Sequence, residues 1–76
     1  MFNLSDMVRG DRAKLIDFGN TSPEYRRRLL SLGLTRGAEI KVIRVAPLGC
    51  PVQIEVRGTS LTLRKEEASD LSWERL

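Results

Sequence analysis

One thiol, no imidazole and ten carboxylates are what this chain offers to a metal ion. Transition-metal sites draw mainly on imidazole and thiolate. With Cys50 as the sole thiol, a closed four-ligand zinc site is out of reach within one copy. A site shared between several copies through Cys50 is the option that remains. Carboxylates gather in sequence only at Glu66, Glu67 and Asp70, a pattern that reads as a solvated acidic turn rather than a hard-cation site. A cysteine nucleophile needs a neighbouring base or cation to lower its pKa, and no histidine exists to serve Cys50. No Gly-x-x-x-x-Gly-Lys-Ser/Thr loop is present to cradle a nucleotide. The chain reads as a non-enzyme, without catalytic residues, metal ligands or a cofactor.

Binding is the chemistry left, and two stretches invite it. The run "RVAPLGCPVQIEVRG", residues 44–58, sets Pro47, Leu48, Gly49, Cys50 and Pro51 between two apolar strands. Each proline sits where a strand leaves or enters the ladder, so its missing N–H costs no hydrogen bond there. Two fixed φ angles stiffen the loop before anything binds, and less ordering then remains to be done. Leu48 falls at the expected tip, where a large apolar side chain either meets another surface or tucks beneath the helix. The second stretch is "RRR", residues 26–28. Successive helical residues are about 100° apart, so these arginines fan across a face. They read either as a solvated face whose stems cover core edges or as a patch, Arg27 and Arg28, for an acidic partner.

The elements that must hold these residues are legible from periodicity. "DRAKLIDF", residues 11–18, is an expected first strand with Ala13, Leu15 and Asp17 on one face. "TSPEYRRRLLSLGL" is the expected helix: Ser22 caps it, Pro23 suits its first position, and Glu24 complements the helix dipole. Tyr25, Leu29, Leu30 and Leu32 make its apolar stripe, with Leu29, Leu30 and Leu32 assigned to the core, and Gly33 ends it. "EIKVIRV" alternates until Ile43, which signals a bulge or burial on both faces. "VQIEVR" and "SLTLR" alternate cleanly about a tight turn placed at Gly58-Thr59. "KEEASDL" supplies a helical turn and "SWERL" a closing strand. In that strand Trp73 is expected to fill the barrel end, its N–H reaching solvent or a carbonyl. The architecture is mainly β, a small five-stranded barrel with one short amphipathic helix between strands 1 and 2, and closure would remove exposed edges.

Bulk properties bound the rest. Seventy-six residues are read as one domain, residues 1–76, with a stability of roughly 4–11 kcal/mol at the usual per-residue rate. Thirteen basic and ten acidic side chains give +3, spread from Arg9 to Arg75, too little to demand nucleic acid. A lone cysteine makes no internal disulfide and suits a reducing compartment. The opening "MFNLSDMVRGDRAK" has no apolar signal-peptide core, and the expectation is a cytoplasmic protein.

"YRRRLLSLGLTRGAEIKVIRVAPLGCPVQIEVRGTSLTLRKEEA", residues 25–68, resembles the FeoA family of small bacterial proteins. The shared pattern is an Arg-Leu-x-x-Leu-Gly-Leu helix end, a Gly, a strand closing in Ala-Pro-Leu-Gly-x-Pro, a following strand with Arg, then Leu-x-Leu-Arg and an acidic stretch with Ala. The resemblance implies an SH3-like barrel and a cytoplasmic accessory of ferrous-iron uptake. It implies as partner FeoB, an inner-membrane transporter with a GTP-binding domain, whose inner face would hold the chain. Position 50, often acidic in the family pattern, is a cysteine here. Two alternatives accompany it: an SH3-like regulatory module related to the C-terminal domain of iron-responsive repressors, and a weak metal-ion-binding domain.

Overall fold

Val52, Ile54 and Val56 fall on one side of a strand and Gln53 and Glu55 on the other, and the structure keeps that alternation, burying only the apolar set. The structure, a computed structural model, describes residues 2–76. A 3₁₀ turn at Leu4–Asp6 precedes β1 (Arg12–Asp17), α1 (Pro23–Ser31), β2 (Glu39–Val45), β3 (Val52–Val56), β4 (Thr59–Leu63), α2 (Lys65–Ala68) and β5 (Ser72–Arg75). All strand pairs are antiparallel, in the order β4-β3-β2-β1-β5. β4 and β5 end that order without pairing to each other, so the small SH3-like barrel stays open and retains two edges, contrary to the expected closure.

The helix starts as its sequence dictates. Ser22 Oγ accepts the Tyr25 N–H at 3.2 Å, and Pro23 occupies the first turn. It stops through a Schellman motif: Leu34 N–H donates to the Leu29 carbonyl at 2.9 Å and Gly33 N–H to that of Leu30 at 3.1 Å. Gly33 takes the positive φ of 98° that this reversal requires. The apolar stripe is narrower than expected. Tyr25 and Leu29 are buried, whereas Leu30 is 43% and Leu32 38% exposed. A nine-residue helix lays only an i, i+4 line on the core, and Leu34, beyond the stop, fills the place assigned to Leu32.

Three strand details differ from, or refine, the periodic reading. The register of β1 against β5 shifts between Leu15 and Asp17, which leaves Asp17 exposed and sends Phe18 inward instead. The bulge expected at Ile43 is present, between the pairs Val42–Ile54 and Arg44–Gln53. The β3–β4 turn is one residue earlier than placed from sequence. Val56 pairs with Thr59, so Arg57 and Gly58 are the turn residues, both at positive φ (51° and 78°). Both central residues of a type I′ turn need that conformation. This frame keeps Leu61 and Leu63 on the core face, and a slip of one would expose them.

Tyr25, Leu29 and Leu34 join the sheet's inward residues, among them Leu15, Val42, Ile54, Leu63 and Trp73, in one hydrophobic cluster. Trp73 is buried, but its indole N–H has no partner among the described residues, so neither expected acceptor is met. Among the described residues, no helix is long and apolar enough to cross a membrane.

Candidate docking surface

The loop between β2 and β3 is built from its ends inward. Ala46 N–H donates to the Pro51 carbonyl at 3.1 Å, joining the two stems just past the last ladder pair, Val45–Val52. Gly49 N–H donates to the Ala46 carbonyl at 2.7 Å, which closes a four-residue turn with Pro47 second and Gly49 fourth. Proline fits the second place of a type I turn and glycine the fourth. The Cys50–Pro51 peptide is cis. Leu48 at the third place of the turn is 92% exposed, the most exposed large apolar side chain described.

The loop is also held from the side. Cys50 Sγ accepts the Lys65 N–H at 3.4 Å and lies 4.0 Å from Glu66 Oε2. A Cβ placed on Gly49 would come within 3.0 Å of Lys65 Nζ, so the Lys65 side chain closes over this turn. Cys50 is half-buried as a result, not displayed at the tip as its loop position implied. Sequence reasoning missed Lys65 and Glu66 as supports of the loop. They lie 15 and 16 residues further on, and no periodic pattern links them to position 50.

Arg27 and Arg28 stand exposed on α1. Arg28 shares a shallow recess with Ser22, Glu24, Tyr25 and Glu67. Burial raises the pKa of the Tyr25 phenol there, the Glu67 carboxylate raises it further, and the Arg28 guanidinium opposes both. The Tyr25 hydroxyl is buried without a hydrogen-bond partner among the described residues. α2 thus touches both candidate surfaces, Glu66 beside the loop and Glu67 beside α1. Leu30, one turn along from Arg27, adds an exposed apolar side chain to that helix face.

Glu66, Glu67 and Asp70 line one open recess with Asn20, Thr21, Ser22, Tyr25 and Ser69. Among the described residues no three His, Cys, Asp or Glu side chains are placed to hold a metal ion.

Against known proteins, a family model described as the FeoA domain matches residues 2–75. A fusion of Fe(2+) transport protein A with the Fe(2+) transporter FeoB from Porphyromonas gingivalis is 31% identical over 71 residues. That match covers 93% of this chain, which spans only 8% of the fusion's length. The solution structure of FeoA from Chlorobium tepidum is similar at 43% identity and a TM-score of 0.88, over 99% of this chain and 70% of that one. A zinc complex of Stenotrophomonas maltophilia FeoA, described as a prokaryotic SH3 domain protein, aligns at 25% identity and a TM-score of 0.77 over 97% of this chain and 91% of that one. The donor set here, without histidine and with a single thiol tied to Lys65, does not supply the closed Cys/His set of a structural zinc site within one copy.

Proposed function

We propose, because this chain belongs to the FeoA family of ferrous-iron transport, that it is a non-enzymatic accessory docking on the cytoplasmic side of a FeoB-like transporter. The contact surfaces are loop 46–52, led by Leu48, and the α1 face bearing Arg27 and Arg28. Exposure of Leu48 on a turn held at both stems and from the side is the observation that carries this reading. Burying one leucine against a partner is worth about 1.5–3 kcal/mol. A loop already fixed loses little conformational freedom in delivering it. The fused relative from P. gingivalis supports the choice of partner, since joining two units in one chain raises the effective concentration of each for the other.

Docking acts allosterically in this reading. Loop and helix contact one state of the GTP-binding domain better than another, and that difference in affinity shifts the population. Cells carrying Leu48→Asp or Gly49→Val, with the protein shown to remain folded, test it through iron uptake. The expected result is uptake reduced toward that of cells lacking the chain. Wild-type uptake by both variants removes the loop from the function.

A further inference from the structure

The sheet finishes its two edges differently. At β5, Phe2 bridges Trp73 on the side away from β1, and the Arg75 guanidinium lies 4.3 Å from the Phe2 ring centroid. At β4, no described residue bonds through its backbone to the side away from β3. The pairs Val56–Thr59, Ile54–Leu61 and Val52–Leu63 alternate with Glu55–Ser60 and Gln53–Thr62. Because Val56 and Thr59 close the two-residue turn, the pairs exchanging hydrogen bonds are those that include Thr59, Leu61 and Leu63. The N–H and C=O groups of Ser60 and Thr62 therefore point outward, and both residues are exposed. Natural edges are commonly blunted with proline, lysine or a bulge. β4 has none of these.

Charge around this edge leans basic, although Glu39 and Glu55 share a recess with Arg57. Arg57 stands in the turn two residues before β4 and Arg64 directly follows the strand, both exposed. Arg44 pairs with Gln53, which pairs with Thr62, and the three line a groove with Ala46 and Pro51. Against these three guanidinium groups, the sheet rows beside β4 set the carboxylate of Glu55, opposite Ser60.

We propose that the β4 edge is a docking site for an extended, acidic peptide segment of a partner protein, which adds to the sheet as a sixth strand. Ser60 and Thr62 supply main-chain hydrogen bonds, and Arg44, Arg57 and Arg64 select for carboxylates. A second copy of this chain is the poorer occupant. Antiparallel pairing of two β4 strands about Leu61 sets Arg57 opposite the other copy's Lys65, like charges that repel. The groove shares Ala46 and Pro51 with loop 46–52, but the backbone groups of Ser60 and Thr62 lie outside that loop, so failure of this proposal and failure of the transporter reading are told apart by which residues respond.

The experiment is a titration of the ¹⁵N-labelled chain with a short synthetic peptide of alternating threonine and valine flanked by glutamates, followed by amide shifts and hydrogen exchange. Shifts and slowed exchange centred on Ser60 and Thr62 are expected, and the same peptide with lysine for glutamate should bind at least about tenfold more weakly. Thr62→Pro should abolish binding while leaving the β3 ladder intact, since the N–H it removes faces outward. The double substitution Arg57→Glu and Arg64→Glu leaves every backbone group in place and should also weaken binding by about tenfold or more. Absence of shifts at millimolar peptide, shifts that map elsewhere, or undiminished binding by both variants overturns the proposal. So does a peptide-free dimer protecting Ser60 and Thr62, which would give the edge to a second copy.

Discussion

Leu29 and Leu48 are the same residue type put to opposite uses. Leu29 is 1% exposed on the buried side of α1, its carbonyl accepting the Schellman bond from Leu34, while Leu48 is 92% exposed at the end of a braced turn. In so small a domain most large apolar side chains are needed inside, where each contributes to a narrow stability margin. Spending one at a loop tip gains nothing for folding. The two regions therefore separate into what keeps the chain folded and what, on the proposed function, it presents to a partner.

Substitutions should break along that line. Leu29→Ala removes a fully buried side chain from the cluster and should cost about 2–5 kcal/mol by urea denaturation, the largest single effect expected. Ser22→Ala deletes the acceptor for the Tyr25 N–H and should cost about 1 kcal/mol in the same assay.

Tyr25→Phe should be smaller and of the other sign. The hydroxyl it removes is buried without a partner, so stability should hold or rise by up to about 1 kcal/mol. That variant also has a pH signature. The folded state raises the phenol pKa above 10.0, chiefly by burial, so the unfolded chain ionises first as pH climbs. The wild type should therefore lose stability relative to Tyr25→Phe as pH rises past 10.0, and the two should keep a constant difference below it. A constant difference across the alkaline range would contradict the burial of the phenol. Leu48→Asp completes the series, and its stability should lie within about 0.5 kcal/mol of wild type.

What the sequence revealed depended on how local the cause was. Ser22, Pro23 and Gly33 act on backbone groups within a few residues, and the helix ends fall where those residues place them. The alternation in β3 and the misfit at Ile43 report directly on which face is buried. Errors arose where a distant element decided. Leu30 and Leu32 match a helical stripe, but the contact area available to so short a helix leaves both outside. Asp17 keeps the right period but follows a bulge in β1, which advances two residues from Leu15 while β5 advances only from Trp73 to Ser72. The turn falls one residue earlier than Gly58-Thr59 because Arg57, which continues the alternation of β3 in sequence, takes the left-handed conformation and leaves the strand.

At the candidate surface, the proline-flanked loop and its apolar tip were legible. Its support by Lys65, through the thiol of Cys50 and over Gly49, was not, because that contact exists only once β4 has carried the chain back beside the loop. Position 50 consequently looks less like a reactive group on display than like an acceptor that fixes the turn.

The central claim is that Leu48 is held out for a partner. Titrating the cytoplasmic portion of a FeoB-like transporter with wild-type chain and with Leu48→Asp, each shown to melt at the same temperature, tests it most directly. Binding should weaken by about tenfold or more, the equivalent of about 1.4 kcal/mol. Equal affinities of the two folded proteins would contradict the account.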